Sequence, residues 1–334
     1  MNMGVLYSLL SIIILVSIVS FGVGSFQWHY FFSIIIPYTA IVIFIAGFIY
    51  RIIIWARSPV PFSIPTVCGQ EKSLPWIKAS SAESPYTGWG VLRRMTMEIC
   101  FFRSLFRNDC ADLKEGQKLL FNSNKLLWIA GLVFHWSLLV ILMRHLRLFL
   151  EPIPSFVAWL QRTDGVFEIA LPALLMTDIC IVAALLYLFF RRVTSPHVRY
   201  ISLPADYFAL LLVFGICISG MLLRYFYKVD IMEVKRFALS IVGLHPVIPK
   251  ETGLVFYVHL FLVSILFAYF PFSKLMHMGG VFLSPTRNLK NDSRMKRHVN
   301  PWDYPVVVHT YEEWEDDFRE AMKEAGLPIE HKDR

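Results

Sequence analysis

The chain has 334 residues, of which 56% are hydrophobic, 15% aromatic and 17% charged, where an ordinary soluble domain carries about 25% charged residues. With a mean hydropathy of +0.54, this composition excludes a purely soluble protein and marks an integral membrane protein. The net charge of +7 is concentrated in loops on one side, so it reads as a topology signal and not as a nucleic-acid footprint.

A spanning helix needs about 20 mostly apolar residues. Six stretches qualify: 4–24, 31–55, 126–149, 166–190, 206–227 and 254–276. No lysine or arginine precedes the first apolar run at Val5, so the basic leader of a cleaved signal is missing and this span is expected to be retained. The chain divides into two N-terminal spans (1–55), a polar loop (56–125), a helical core (126–283) and a polar tail (284–334). Loops 56–125, 191–205 and 284–334 hold 22 lysines and arginines, against 5 in 25–30, 150–165 and 228–253. That asymmetry predicts an all-α, multi-pass protein of the cell membrane with both termini and the large loop in the cytoplasm.

Two polar segments carry their own helical signals. "GWGVLRRMTMEICFFRSLFRND" (88–109) mixes four arginines with Met, Phe and Leu, which suits an amphipathic helix on the membrane surface or a docking face for a partner. "HTYEEWEDDFREAMKEAGLP" (309–328) has Thr310 and Glu313 in a capping box, acidic first turns, a late Lys323, and Gly326 and Pro328 as a stop. It reads as a short helix, either a solvated appendage or a dock for a cytoplasmic subunit.

Five cysteines (Cys68, Cys100, Cys110, Cys180, Cys217) include no C-x-x-C, so the common iron–sulfur, zinc and covalent-haem spacings are absent. Metal chemistry then falls to histidine. Of ten histidines, four lie in or at the ends of apolar spans: His135 and His145 in the third, His259 and His277 in the sixth. An ionisable group in a membrane costs about 2.5–3.5 kcal/mol on insertion scales, and coordination would recover it. The third and sixth spans run antiparallel, which sets His135 level with His277 toward the cytoplasm and His145 level with His259 toward the outside. Facing imidazoles from two helices are what a haem iron takes as paired axial ligands. Ideal helices would separate the two pairs by about 15 Å and about 27 Å, and would turn His135 and His145 about 80° apart. Pro271 can bend the sixth span to reconcile them. A lone membrane histidine is ordinarily a satisfied polar residue between helices; four at two matching depths point to iron.

Arg144, Arg147 and Arg224 near span ends could meet haem propionates or snorkel to the interface. Glu168 and Asp178 in the fourth span fit a proton path from a quinol site or, with more weight, structural pairing with Arg144 or Arg147.

The ten- and eighteen-residue histidine spacings resemble the gamma subunit family of respiratory nitrate reductase, dihaem membrane cytochromes b that oxidise quinol. That resemblance covers about residues 31–280 and implies a dihaem cytochrome b bundle with two haem b, His135 paired with His277 and His145 with His259. It also implies menaquinol as donor, oxidised near the outer haem. "RRMTMEICFFRSLFRN", "PFSKLMHMGGVFLSPTRNLKN" and "RHVNPWDYPVVVHTYEEWEDDFREAMKEAG" further resemble M-type subunits of the Dsr membrane complexes of sulfur-metabolising microbes. The implied partners are a cytoplasmic K-type iron–sulfur subunit, a P-type membrane subunit, a periplasmic J-type multihaem cytochrome c and a periplasmic O-type iron–sulfur protein. The implied end acceptor is the DsrC trisulfide of sulfite reduction. A heterodisulfide-reductase-type or quinone-reducing cytochrome b and a haem-free anchor of a redox complex stay open as alternatives. A transporter is disfavoured by the lack of internal repeats and of matched broken helices.

Overall fold

The structure is a computed structural model that describes residues 3–58, 69–114, 118–167, 174–284, 286–295 and 308–330. The chain opens with α1 (Met3–Gly24), a π turn at Phe31–Ile35 and α2 (Ile36–Ala56). The large polar loop follows with α3 (Gly88–Phe101), α4 (Arg103–Phe106) and an antiparallel hairpin of β1 (Asp109–Lys114) and β2 (Lys118–Ser123). Next come α5 (Lys125–Phe149), α6 (Ser155–Asp164), a short ladder of β3 (Gly165–Phe167) and β4 (Leu174–Leu175), and α7 (Met176–Thr194). Helices α8 (Pro196–Ile201), α9 (Pro204–Tyr225), α10 (Ile231–Val242), α11 (Gly253–Tyr269), α12 (His277–Leu283) and α13 (Tyr311–Glu324) complete the described chain.

Among the described residues five helices are long and apolar enough to cross a membrane: Met3–Gly24, Phe31–Ala56, Lys125–Phe149, Pro204–Tyr225 and Gly253–Phe272. A backbone in lipid has no water to bond, so an uninterrupted helix is the form these runs must take. Pro204 sits in the first turn of α9, where the missing N–H has no intrahelical acceptor anyway, and Pro37 follows the π turn that leads into α2. The main-chain N–H of Leu203 donates to Asp206 at 3.0 Å and closes the start of α9.

The fourth expected span, at 166–190, differs in its described residues from the expectation. Its helix, α7, begins at Met176 and carries Asp178, Arg191 and Arg192 within 19 residues. Part of the apolar run before it pairs as β3 and β4. Pro172 lies in the middle of that run, and a helix through it would lose a hydrogen bond and clash with the preceding turn. Residues 168–173, and with them Glu168, lie outside the described residues.

The core is shared by α11 and its neighbours. Val19 and Val23 of α1, Phe32, Phe237 and Ile241 of α10, and Phe256, Tyr257 and Phe261 of α11 form one buried cluster. A second joins Ile181 and Leu185 of α7 to Val213 of α9, with Phe134, Leu138 and Ile141 of α5 packed against it. Helix α10 was not anticipated from the sequence. Asp230 caps it by accepting from the Met232 N–H at 2.8 Å, and Phe237, Ala238 and Ile241 face inward.

Candidate functional site

His135 and His145 stand ten residues apart on the unbroken α5. Ten residues of helix after His259 likewise bring α11 to its end at Tyr269, so both helices advance about 15 Å between their two levels. The remaining eight residues to His277 are not continued helix. They form two 3₁₀ turns, Phe270–Phe272 and Lys274–Met276, hinged at an extended Ser273. This break removes the mismatch between the two histidine spacings, and the His135 and His277 ring centroids lie 6.0 Å apart at an interplanar angle of 83°.

The break is anchored on three sides. Pro271 is buried against Gly47 of α2, where a Cβ would come within 2.7 Å of the Pro271 Cβ, so only glycine admits this approach. Tyr269 donates its hydroxyl to the Ala205 carbonyl at 3.2 Å. Lys274 reaches Asp206 at 2.8 Å.

The polar loop closes over the same level. Trp128 and Trp136 of α5 donate their indole N–H groups to the Phe101 and Cys100 carbonyls, at 2.7 and 3.0 Å. These bonds satisfy two terminal carbonyls of α3. Phe102 follows with φ of 49°, a left-handed conformation costing a non-glycine residue about 1–2 kcal/mol. It ends α3 and sets its ring edge-on to His135, 4.9 Å between centroids. The expected single helix over 88–109 is therefore two helices with a sharp turn, followed by a strand. Glu98 is buried under that turn and accepts from the Ser104 N–H at 3.1 Å and the Ser104 hydroxyl at 2.6 Å. Burial pushes the neighbouring Arg94 guanidinium down from its ordinary pKa; Glu98 opposes the shift, and Arg287 and Arg103 add to it. The 284–295 segment is stitched to the same loop: Asn291 donates to Pro85 O at 2.7 Å and to Ser84 Oγ at 2.6 Å, and Ser293 to Glu71 at 2.7 Å.

The other two histidines are His145, near the end of α5, and His259 on α11. Next to His145, Arg144 is buried between two carboxylates, 3.0 Å from Asp164 and 3.0 Å from Asp178. Asp178 also accepts from the Tyr225 hydroxyl at 2.8 Å, and Asp164 from the Thr177 hydroxyl at 2.6 Å. The structure thus ties α5, α6, α7 and α9 through one guanidinium. Asp178 makes the structural pairing with Arg144, whose two terminal nitrogens go to the aspartates while its buried Nε has no partner among the described residues. Arg147 donates to Gln161 at 2.8 Å, which ties α5 to α6 as well. Arg224 lies near Arg147, with its guanidinium carbon 5.6 Å from the Tyr225 ring centre. Asp164, Thr177 and Tyr225 were not singled out in the sequence; each is an unremarkable polar residue at a helix end until the fold brings them together.

All four histidines are held in the same chemical sense. His135 Nδ1 donates to Gly131 O at 2.7 Å, His145 Nδ1 to Ile141 O at 2.7 Å and His277 Nδ1 to Lys274 O at 2.9 Å. A carbonyl only accepts, so the proton sits on Nδ1 and the lone pair on Nε2. His259 Nδ1 lies 3.0 Å from Ser219 Oγ and also bonds the Ile216 carbonyl; the carbonyl only accepts, so here too Nδ1 carries the proton and the serine oxygen accepts from it. Metal-bound histidines are ordinarily oriented in this way through their second nitrogen. His135 and His277, 6.0 Å apart between centroids and each with Nε2 as its lone-pair nitrogen, are the two side chains that would hold a metal at this end of α5. Among the described residues no three His, Cys, Asp or Glu side chains converge as a metal group. The arrangement is one of pairs, which suits an iron whose other ligands come from a porphyrin.

The fold defines a multi-pass helical membrane protein in which His135 and His277 lie side by side. Residues 89–297 match the nitrate reductase gamma subunit family, and the chain belongs to it. The match begins in α3, so α1 and α2 lie ahead of it. A protein of Archaeoglobus fulgidus described as an Hdr-like menaquinol oxidoreductase cytochrome b-like subunit is 48% identical over 280 residues, 81% of this chain and 83% of that one. One of Archaeoglobus profundus with the same description is 42% identical over 284 residues, 82% of this chain and 84% of its own.

Proposed function

We propose that this chain is the dihaem cytochrome b subunit of a menaquinol-oxidising complex. His135 and His277 hold an inner haem b and His145 and His259 an outer one. The observation that carries this reading is the common orientation of the four imidazoles, each with Nδ1 bonded and Nε2 left as the lone-pair nitrogen. Haem supplies one-electron transfer. The chain's own residues supply the rest: the break at Pro271 sets His277 beside His135, and the Arg144 clamp holds the outer end of α5. The cytochrome b-like description of both relatives and their menaquinol oxidoreductase assignment support the donor. The basic-residue asymmetry supports a cell-membrane location with both termini in the cytoplasm. Quinol oxidised by the outer level would then release its protons outside.

Electrons leaving the inner level need an acceptor on the cytoplasmic face, and an iron–sulfur subunit is the partner proposed there. Two surfaces suit it. Helix α3 exposes Trp89, Leu92 and Ile99 on the face away from its buried Val91, Arg94 and Met95. Helix α13 is capped as expected, with Thr310 and Glu313 reciprocally bonded. It exposes a ladder of Tyr311, Trp314 and Phe318, with centroids 6.0 and 5.4 Å apart, amid acidic residues. Such a face fits an apolar groove with a basic rim. The motif resemblance supports the finer reading: a K-type iron–sulfur subunit, P-, J- and O-type neighbours, and delivery of electrons toward the DsrC trisulfide in sulfite reduction.

Pyridine haemochrome analysis of the purified chain tests the core of the proposal. Two non-covalent haems per chain are expected, and a folded, colourless protein would overturn it. Deleting residues 310–334 should leave both haems reducible by a menaquinol analogue and slow reoxidation by the cytoplasmic partner. Unchanged reoxidation would remove the tail from the dock.

A further inference from the structure

Three of the four imidazoles are oriented by the backbone of their own helix or turn. His135 and His145 use the carbonyl four residues back, and His277 the carbonyl three back. His259 is different: its partners lie on another helix, α9, where it meets the Ser219 hydroxyl as well as the Ile216 carbonyl. Ser219 is itself 5% exposed, and its hydroxyl proton is fixed on Ile216 O. The bonds therefore run as a relay from imidazole N–H to hydroxyl oxygen and from hydroxyl to backbone carbonyl, an arrangement in which each bond polarises the next. The next residue, Gly220, makes the approach possible. A Cβ there would lie 3.2 Å from His259 Cε1 and 3.6 Å from Nδ1, so a larger residue would move the ring or the helix. Ser219 also lines an apolar cleft of about 400 Å³ between α1, α9 and α11, whose only other polar wall residue, Ser20, is bonded to Val16 O. No polar group in the cleft competes for the serine oxygen.

We infer that Ser219 is a positioning residue for the outer haem: it fixes the His259 tautomer and ring plane from a helix that supplies no ligand, and so tunes that haem separately from the inner one. The inference rests on the dihaem reading above. An acceptor on Nδ1 raises the basicity of the ligand, and a more basic ligand favours the oxidised metal. Removing the acceptor should move the outer haem toward reduction and leave the inner one where it is.

Redox titration and low-temperature EPR of the purified chain with its haems bound test this. Ser219→Ala is expected to shift the outer haem's oxidised-to-reduced ratio about tenfold at fixed potential, which is about 59 mV upward for one electron. The inner haem should not move, and Ser219→Thr, which keeps the hydroxyl, should restore the wild-type value. Gly220→Ala keeps the serine but crowds the ring, and should change the EPR signal of the outer haem alone. Wild-type potentials and signals in both Ser219→Ala and Gly220→Ala would overturn the inference and leave the dihaem reading standing. A wild-type chain that binds no haem would overturn both.

Discussion

The two proposed histidine levels are built from different materials. The inner level, His135 with His277, is made by irregular backbone: a left-handed Phe102, a helix broken at Pro271, and two indoles that cap the end of α3. The proposed outer level, His145 with His259, draws on unbroken helices and on buried charge, Arg144 between Asp164 and Asp178. Backbone shape, helped by the partly exposed Lys274–Asp206 pair, anchors the end where the polar loop and the 286–295 segment meet. Buried ion pairs are costly to break, because removing one partner strands the other, and they suit a level that must stay rigid between spans. The levels should therefore fail independently and for different reasons.

The largest effect tests that independence directly. Replacing His135 or His277 should remove one and the same redox centre, and replacing His145 or His259 the other, as read by redox titration of the four single variants. Loss of a common centre in His135 and His259 variants would show that the levels are wrongly assigned. Next comes the brace. Arg144→Leu leaves two buried aspartates without their cation and should cost about 3–5 kcal/mol of stability, seen in thermal unfolding, with damage centred on the outer level. Adding Asp164→Asn and Asp178→Asn should recover most of that loss. No recovery would mean that Arg144 acts through something other than this clamp.

A smaller effect belongs to the inner level. Gly47→Ala places a methyl group against buried Pro271, and overpacking of this kind costs about 1–3 kcal/mol. It should broaden or shift the inner centre in a titration and spare the outer one. An outer centre disturbed equally would show that the break transmits strain along α11.

What could be read in the sequence follows from these same materials. Apolar runs near α1, α2, α5, α9 and α11 announced themselves because lipid allows them one backbone form. The capping box of α13 was equally visible, since Thr310 and Glu313 act within one turn. The spacing of the histidines suggested His135 beside His277, and Pro271 supplied the bend. The stretch before α7 misled because hydropathy alone does not register Pro172 or the charges that follow. Ser219, Asp164, Tyr225 and Gly47 were invisible for a different reason. Each matters through a partner between 13 and 224 residues away in sequence, Thr177 being the nearest and Pro271 the farthest, and a serine or glycine in an apolar run carries no local mark of such a contact.

The smallest effect concerns the indoles over the inner level. Trp136→Phe keeps the aromatic ring on α5 but removes the N–H that reaches Cys100 O. A neutral hydrogen bond contributes about 0.5–1.5 kcal/mol, so global stability should fall by about 1 kcal/mol. Trp128 still holds the adjacent Phe101 carbonyl, so α3 should stay docked while its last turn loosens. Phe102 follows directly on that turn, and its ring edge meets His135. The expected outcome is therefore local: a modest shift of the inner redox centre, an unmoved outer centre, and faster amide exchange confined to residues 98–104. Exchange that rises along the whole of α3 would mean that the two indoles act as one latch, and that losing either releases the loop from the membrane helix.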